Sequence, residues 1–386
     1  MKVTQIYALV NDATQQMLGE TAVLNEDLSN IVDVGKAVID SDNLDNYVKN
    51  LVNHIGKVVF VNRLYAGGVP SVLMDSWEYG SVMEKIASDL PDATESDSWK
   101  LTNGQDYSPD VFYKPSVSVK FFNSKTTFEI PLSFTELQIK ESFSNANQLN
   151  GFISMLTTSV ENSMTVKLDA LIMRTINNMI GETMADGLTV DGVFTPTGTS
   201  VKAVNLLNLY NSEYGASLTF ANAVKDADFI RYATYTMGLY SDRMARISTL
   251  FNAGAKDRFS PKDQQHVVLL SDFAKASETF LLSNSQNQDR VTLPDHETVP
   301  YWQGSGEGYT FEEVSKINVQ TSGGDAIEST GIIGVIFDRQ ALGVSNLDRR
   351  VTTNYNPKAE FYTNFYKFDA GFFNDLDENF VVFYMG

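Results

Sequence analysis

Histidine is the residue type best suited to acid–base or metal chemistry near neutral pH, and the chain has three. His54, His266 and His296 are far apart and show no ligand-like spacing. His54 lies between Val52 and Ile55 in a helix-like pattern, which favours a structural role. His266 precedes a predicted strand, and His296 lies in a predicted loop. We therefore predict no catalytic histidine.

Other motifs for nucleophilic, phosphate or metal chemistry are also missing from the sequence. There is no cysteine, which excludes disulfides, thiolate metal sites and a cysteine nucleophile. The spacings of zinc proteases, hydrolase elbows, P-loops and EF-hands do not occur. The glycine-rich stretch 304–308 carries Glu307 and follows a loop, so it reads as a flexible loop. Asp92, Glu95 and Asp97 read as a solvated acidic loop. We predict no catalytic residue, no cofactor and no metal site.

The charge balance restricts the partners. The formal net charge of the 386 residues is -19, which argues against broad electrostatic binding to DNA or anionic lipid. No apolar run is long enough to span a membrane, and the N-terminus shows no signal-peptide pattern. We expect a protein made in the cytoplasm, with no membrane contact. The dibasic pair Arg349–Arg350 is a candidate for salt bridges between subunits.

One very long helix dominates the predicted elements. Apolar residues recur at steps of three and four from Asn147 to Glu182 without an internal proline. A second helical region is predicted at 222–252. Further predicted helices lie at 25–40, 42–57 and 272–282, and a capping box at Ser133–Glu136 predicts a short helix towards Ser142. The segment 186–200 reads as a connection.

Two alternating segments, Val117–Phe121 and Thr127–Leu132, flank the polar turn 123–125 and predict a β-hairpin. The preceding segment, 90–110, is polar, acidic and rich in turn residues, so we expect a long projecting tip.

Strands are also predicted at 58–61, 267–270, 331–337, 360–369 and 379–384. Residues 283–308 read as a loop, and Asp338–Gly343 as a short helical turn. Helices and strands mix without a regular alternation, which predicts the α+β class.

Five segments together resemble the major capsid proteins of tailed bacteriophages, which have the Hong Kong 97-like fold. They are Phe112–Phe122, Thr127–Ser133, Gly334–Val344, Arg350–Tyr355 and Asn374–Asn379. The resemblance covers most of the chain from about residue 20.

The resemblance implies a division of the chain into five parts. These are an N-terminal arm (1–75), an extended β-hairpin loop (76–132), a peripheral domain with the spine helix (133–200), a mainly axial domain (201–330) and a β-rich segment that closes the body (331–386). It further implies a structural subunit that is not an enzyme, which forms pentamers and hexamers of an icosahedral head shell around double-stranded DNA.

The implied partners are a separate scaffolding protein and a portal, and the implied location is the virion, after assembly in the host cytoplasm. Relatives that link subunits covalently use a loop lysine, for which Lys85, Lys100 and Lys114 are candidates. A tail or decoration protein and a cryptic hydrolase are the alternative functions.

Overall fold

The computed structural model describes residues 11, 69–74, 83–88, 90–91, 93, 95, 100–107, 110, 112–114, 116–135, 137, 146–282, 294–303 and 308–386. The predicted helices at 25–40 and 42–57, the predicted strand at 58–61 and His54 lie outside these residues.

The described residues contain six α-helices and fifteen β-strands. The helices are α1 (Ala146–Leu188), α2 (Leu206–Tyr214), α3 (Phe220–Ala223), α4 (Ala227–Met244), α5 (Ser271–Leu282) and α6 (Phe311–Val314). The strands are β1 (Leu73–Met74), β2 (Met83–Ser88), β3 (Val117–Phe122), β4 (Lys125–Thr135), β5 (Thr189–Val190), β6 (Val193–Phe194), β7 (Ala203–Asn205), β8 (Gln265–Leu270), β9 (Glu297–Val299), β10 (Ile317–Gln320), β11 (Ala326–Ser329), β12 (Ile332–Asp338), β13 (Leu342–Asn356), β14 (Phe361–Asn374) and β15 (Phe380–Tyr384).

The strands form two larger sheets and three two-stranded ones. The five-stranded sheet has the order β7-β15-β12-β8-β9, and the four-stranded sheet has the order β1-β13-β14-β4. β2 pairs with β3, β5 with β6, and β10 with β11, each antiparallel. The mixture of helices with mostly antiparallel strands confirms the α+β class.

Helix α1 is the longest element, and one of its faces is buried. Its 43 residues, at about 1.5 Å each, span roughly 65 Å. The buried apolar side chains are Val160, Met164, Leu168, Leu171, Ile172, Ile176, Met179, Ile180, Met184 and Leu188. The predicted helix 147–182 is confirmed, and it continues to Leu188 because the buried row continues. No helix among the described residues is apolar enough over sufficient length to cross a membrane.

The five-stranded sheet is buried on both faces, and each face belongs to a different hydrophobic cluster. In β12, Val335 packs into the cluster around α1, whereas Ile336 packs into a second cluster with α2, α4 and α5. β15 divides in the same way between Val382 and Val381. The four-stranded sheet contributes to the α1 cluster. The five-stranded sheet therefore separates α1 from helices α2, α4 and α5.

The predicted helical region 222–252 consists of two helices and a loop, so its bounds were wrong. The Asp226 side chain accepts hydrogen bonds from two backbone amides in the first turn of α4 and starts a new helix there. α4 ends at Met244, although Ile247 and Leu250 continue the apolar spacing. These two side chains are 56% and 57% exposed, so the spacing did not indicate a buried face.

Both strands of the predicted hairpin exist, but they do not pair with each other. β3 pairs with β2, with Lys85 opposite Lys120. β4 pairs with β14, with Ile130 opposite Tyr366. The predicted pairing was wrong because alternation indicates which face a side chain occupies, not which strand lies beside it. The hairpin consists of β2 and β3, with residues 89–116 as its tip.

Three smaller predictions are also corrected. β4 extends to Thr135, so the predicted short helix does not begin at Ser133; Leu137 is helical, and residues 136 and 138–145 lie outside the described residues. Asp338–Gly343 is a tight turn followed by β13, because the Asp338 side chain accepts a hydrogen bond from the amide of Gln340 at 2.8 Å. The segment 283–308, predicted as a loop, contains β9.

The connection predicted at 186–200 overlaps the end of α1 and contains the β5–β6 hairpin. Asp191 and Gly192 form its two-residue turn, with φ angles of 51° and 79°. An Asp-Gly pair suits such a turn because both residues must adopt positive φ.

Gly181 allows α1 to pack directly on β10, and its replacement tests this contact. A Cβ at this position would overlap Cγ2 of Val319. Overpacking costs about 1–3 kcal/mol, whereas alanine gains roughly 1 kcal/mol over glycine in a helix. We expect Gly181→Ala to lower the free energy of unfolding of the subunit by about 1 kcal/mol in urea titrations followed by circular dichroism.

The matched variants are Val319→Ala and the double variant. Val319→Ala makes room, so Gly181→Ala should be less destabilising in that background. Strict additivity of the two changes would show that positions 181 and 319 do not interact.

Candidate assembly surface

On the inner face of the β2–β3 hairpin two lysines lie beside Phe122, which packs on Phe373, whereas the outer face exposes several large apolar side chains. More and less exposed residues alternate along both strands. Lys85 and Lys120 face the body, whereas Ile86, Val119 and Phe121 on the outer face are 65%, 45% and 64% exposed. A sheet that only covers a core has apolar side chains on its inner face and polar side chains on its outer face. The outer face therefore has the character of a contact surface.

Three carboxylates neutralise the two lysines. Lys85 and Lys120 stand directly opposite each other, where like charges repel. Lys85 Nζ lies 2.6 Å from Oδ2 of Asp375 and 2.7 Å from Oε1 of Glu378. Lys120 Nζ lies 2.8 Å from Oδ1 of Asp375 and 2.6 Å from Oδ2 of Asp377. Asp375 thus binds both lysines and fastens the base of the hairpin to the body. We call these five residues the ionic anchor.

The turn between β14 and β15 positions the carboxylates. The amide of Asp375 donates to the carbonyl of Ala341 at 2.7 Å, and the amide of Glu378 donates to the carbonyl of Asp375 at 3.2 Å. Asp375 is 2% exposed and Glu378 is 7% exposed. Buried charges of this kind are tolerated only when they are paired.

The pairing also shifts proton affinities. Burial alone would raise the pKa of Asp375, but hydrogen bonds from Lys120 and Lys85 outweigh burial and hold it below its ordinary value. Burial alone would lower the pKa of Lys120, but hydrogen bonds to Asp375 and Asp377 outweigh burial and raise it. Both shifts favour the charged forms of Asp375 and Lys120.

The ionic anchor was not predicted from the sequence. Lys85 was a candidate loop lysine and Asn374–Asn379 a family-like segment, but Lys85 and Asp375 lie 290 positions apart in the chain. The sequence did contain one indication. A lysine on the inner face of each of two neighbouring strands predicts that carboxylates lie opposite that face. Lys85 is held by this pairing, whereas Lys100 and Lys114 lie in the exposed tip.

Every described residue of the tip, within 89–116, is exposed. Large apolar side chains are among them, namely Leu90, Leu101, Tyr107, Phe112 and Tyr113. The outer face of β2 and β3 adds Ile86, Val119 and Phe121 to these exposed apolar residues. Several exposed large apolar side chains on one hairpin are expected at a contact site with another molecule.

His266 and His296 line one cleft of about 1110 Å³, which the sequence did not predict. Burial lowers the pKa of His266, and its buried Nε2 has no hydrogen-bond partner. His296 Nδ1 lies 2.8 Å from the carbonyl of Pro294. Glu297 accepts hydrogen bonds from the amide and hydroxyl of Ser71, at 3.1 and 2.6 Å. No three His, Asp or Glu side chains in the described part of the chain are placed to hold a metal ion.

Arg350 also pairs within the chain. Its Nη1 lies 3.1 Å from Oδ2 of Asp369 on the neighbouring strand β14. Asp369 also accepts a hydrogen bond from Thr127 of β4 at 2.6 Å. Arg350 and Asp369 therefore link three strands of one sheet. For both Arg349 and Arg350, a bridge between subunits stays a prediction.

Comparison with known proteins gives one family and several similar chains. A family model described as the Phi29-like phage major capsid protein matches residues 6–384. The major capsid protein of Bacillus phage GA-1 is 26% identical over 161 residues, which cover 41% of this chain and 32% of that protein. The match thus spans about a third of the length of that relative.

Similar chains in solved structures have low sequence identity to this chain. A chain in the structure of the head fibre and inner core protein gp22 of native bacteriophage P68 is 9% identical, with a TM-score of 0.51, over 84% of this chain and 86% of that chain. A chain in the capsid structure of the cyanophage P-SCSP1u is 12% identical, with a TM-score of 0.48, over 84% and 89%.

Removal of one carboxylate tests the ionic anchor. Asp375→Asn leaves each lysine with a single carboxylate. We expect a loss of about 3 kcal/mol, at the lower end of the range for breaking a buried pair, because Asp377 and Glu378 remain. Hydrogen exchange should rise in β2 and β3, while β12 and β15 stay protected.

Acid should release the same contact in the unmodified chain. Because the folded pKa of Asp375 lies below its ordinary 3.8, its stabilisation is fully present above pH 3.8 and is lost as the pH falls through the folded pKa. Asp375→Asn should lack this step. The control is Glu278→Gln, which removes an exposed pair with Lys275 and should change stability by less than about 0.5 kcal/mol. Equal hairpin protection in all variants would contradict the anchor.

Proposed function

The chain belongs to the Phi29-like phage major capsid protein family, and on this basis we propose that it is the repeating structural subunit of a phage head shell. Copies of the chain assemble as pentamers and hexamers into an icosahedral shell around the genome. The subunit acts through contacts with other copies and has no enzymatic activity. It is a component of the virion and is assembled in the host bacterial cytoplasm.

The polarity of the β2–β3 hairpin supports this proposal most directly. Its outer face exposes Ile86, Val119 and Phe121 to solvent, and buried ion pairs fix its inner face to the body. Such an arrangement holds an apolar surface in a defined orientation before a partner arrives. We propose that another copy of the chain covers this surface in the shell.

The division of the chain follows the resemblance, and the two hydrophobic clusters support it. In this proposal the arm is 1–75, the extended loop is 76–132, the peripheral part with α1 is 133–200, and the mainly axial part is 201–330. The C-terminal segment, 331–386, closes the body, since β12 and β15 contribute to both clusters.

The remaining partners are a separate scaffolding protein, a portal and double-stranded DNA, which the shell encloses without sequence-specific binding. The net charge of -19 supports the last point, because an acidic wall repels DNA phosphates within a Debye length of about 8 Å.

Polar replacement on the outer face tests the shell contact. Ile86 and Val119 are paired across the two strands. Ile86→Thr with Val119→Thr keeps β-branched side chains but removes apolar contact area, so we expect a folded subunit that forms few or no shells. Sedimentation and negative-stain electron microscopy measure the shells, and circular dichroism checks the fold.

The β5–β6 hairpin supplies a matched control. Val190 and Val193 are also cross-strand partners and are 66% and 65% exposed. Val190→Thr with Val193→Thr should leave assembly unchanged. Normal shells from the Ile86/Val119 double variant would refute the role of the outer face.

The acidic balance gives a separate prediction for DNA. We expect no gel shift of duplex DNA by the purified subunit at about 0.15 M salt, because non-specific binding depends on basic side chains that neutralise phosphates. Repeating the titration at roughly tenfold lower salt provides the control. A clear shift at about 1 µM subunit and 0.15 M salt would reveal a basic face and contradict the prediction.

A further inference from the structure

A group of tyrosines forms a small surface pocket on the side of the body that carries α2 and α4. The ring centres of Tyr210 and Tyr214 of α2 lie 4.9 Å apart, and they lie 5.4 and 5.8 Å from that of Tyr232 of α4. Tyr235 and the pair Asp228–Arg231 complete a pocket of about 400 Å³. Tyr210 and Tyr232 pack against the second hydrophobic cluster, whereas the β2–β3 hairpin has no part in this pocket.

The rings are supported from below and open to solvent above. Phe229 is fully buried and packs edge-on against Tyr210, at 5.6 Å between ring centres. Tyr214 and Tyr235 are 61% and 63% exposed. Rings held in this way keep their π faces accessible, and tyrosine is enriched among the residues that contribute most to protein interfaces.

Carboxylates make the surroundings of the rings negative. Burial raises the pKa of Tyr210, and the charges of Asp226 and Asp228 add to the effect. Burial also raises the pKa of Tyr232, with a further contribution from Glu213. Arg231 balances only Asp228, through a contact of 2.6 Å. Tyrosine faces beside carboxylates attract a cation.

The same chain carries a matching cation beyond the other end of α4. Arg246 is exposed and forms no ion pair with any residue in the described part of the chain. Next to it, Ile247 and Leu250 are 56% and 57% exposed. Arg246 lies 11 positions beyond Tyr235, roughly 16 Å at the helical rise, and it does not line the pocket of its own copy.

We propose that the tyrosine pocket binds Arg246 of a second copy of the chain, in a head-to-tail contact. A head-to-tail contact joins two different patches of one surface and closes into a ring when the rotation permits. A contact of the pocket with itself would bring Asp228 and Glu213 of two copies together, which disfavours the symmetric alternative. This proposal rests on the shell function, because only a self-assembling chain supplies the partner.

Chemical cross-linking tests the contact, and the lack of cysteine in the chain removes background reaction. Ser217 and Thr249 are exposed positions beside the pocket and beside Arg246, and their replacement leaves the tyrosines and Arg246 intact. We expect the variant Ser217→Cys/Thr249→Cys, treated with a short bis-maleimide, to give a ladder of linked chains up to closed rings. A mixture of the two single variants should give only linked pairs.

Side-chain replacements test the chemistry of the contact. Tyr214→Leu and Arg246→Gln should each raise the subunit concentration required for assembly about tenfold, since a cation–π contact contributes roughly 1–2 kcal/mol. Tyr214→Phe and Arg246→Lys keep the ring and the charge, so they should assemble at close to the normal concentration. Circular dichroism confirms that all four variants fold.

The outcomes separate this proposal from the shell function. Normal shells without a ladder, or normal assembly of Tyr214→Leu and Arg246→Gln, would overturn the pocket contact and leave the shell function intact. Linked pairs from Ser217→Cys alone would show the symmetric contact and also overturn the proposal. A ladder of small rings from a chain that never forms shells would support the pocket and contradict the shell function.

Discussion

Apolar burial along α1 is the interaction on which the rest of the body depends. The buried row from Val160 to Leu188 packs with residues of the four-stranded sheet, the five-stranded sheet and β10 in one continuous cluster. Loss of this row would leave the two larger sheets without a common core. Gly181 shows how close the packing is, because the position has no room for a single methyl group beside Val319. The β2–β3 hairpin and the tyrosine pocket are both attached to the body that this buried row stabilises.

Charge fixes the hairpin in a way that apolar packing does not. The two lysines of the ionic anchor enter a nearly dry site in which Asp375 is 2% exposed, so geometry and charge must both match. Apolar packing tolerates small changes in direction, whereas ion pairs with specific oxygen atoms define one orientation. Phe122 packs on Phe373 beside the two lysines of the inner face, and Ile86, Val119 and Phe121 are left for the outer face. Attachment to the body and exposure of the contact surface are therefore two results of the same alternation.

The sequence predicted the helices and strands better than it predicted which of them lie side by side. α1 was found because its apolar steps of three and four persist over many turns, and β3 and β4 were found because their residues alternate. The partner of β4 was missed because no local pattern identifies β14, more than 200 residues later. The contact of Lys85 with Asp375 was missed for the same reason, a long separation in the sequence. The tyrosine pocket was missed because the sequence does not show how α2 and α4 are placed relative to each other. The predicted helix was too long because Ile247 and Leu250 have the spacing of buried helix residues although both are exposed.

The position of β15 has a consequence for how the chain folds during its synthesis. This strand lies between β7 and β12 in the five-stranded sheet, yet it is the last strand along the sequence. Until the ribosome has produced residues 380–384, β7 and β12 lack their shared neighbour, and both hydrophobic clusters lack the side chains of β15. Nascent chains therefore carry open strand edges and apolar surface until these residues are made, a state that exposes them to aggregation. Chaperones that shield such unfinished chains would raise the yield of folded subunits.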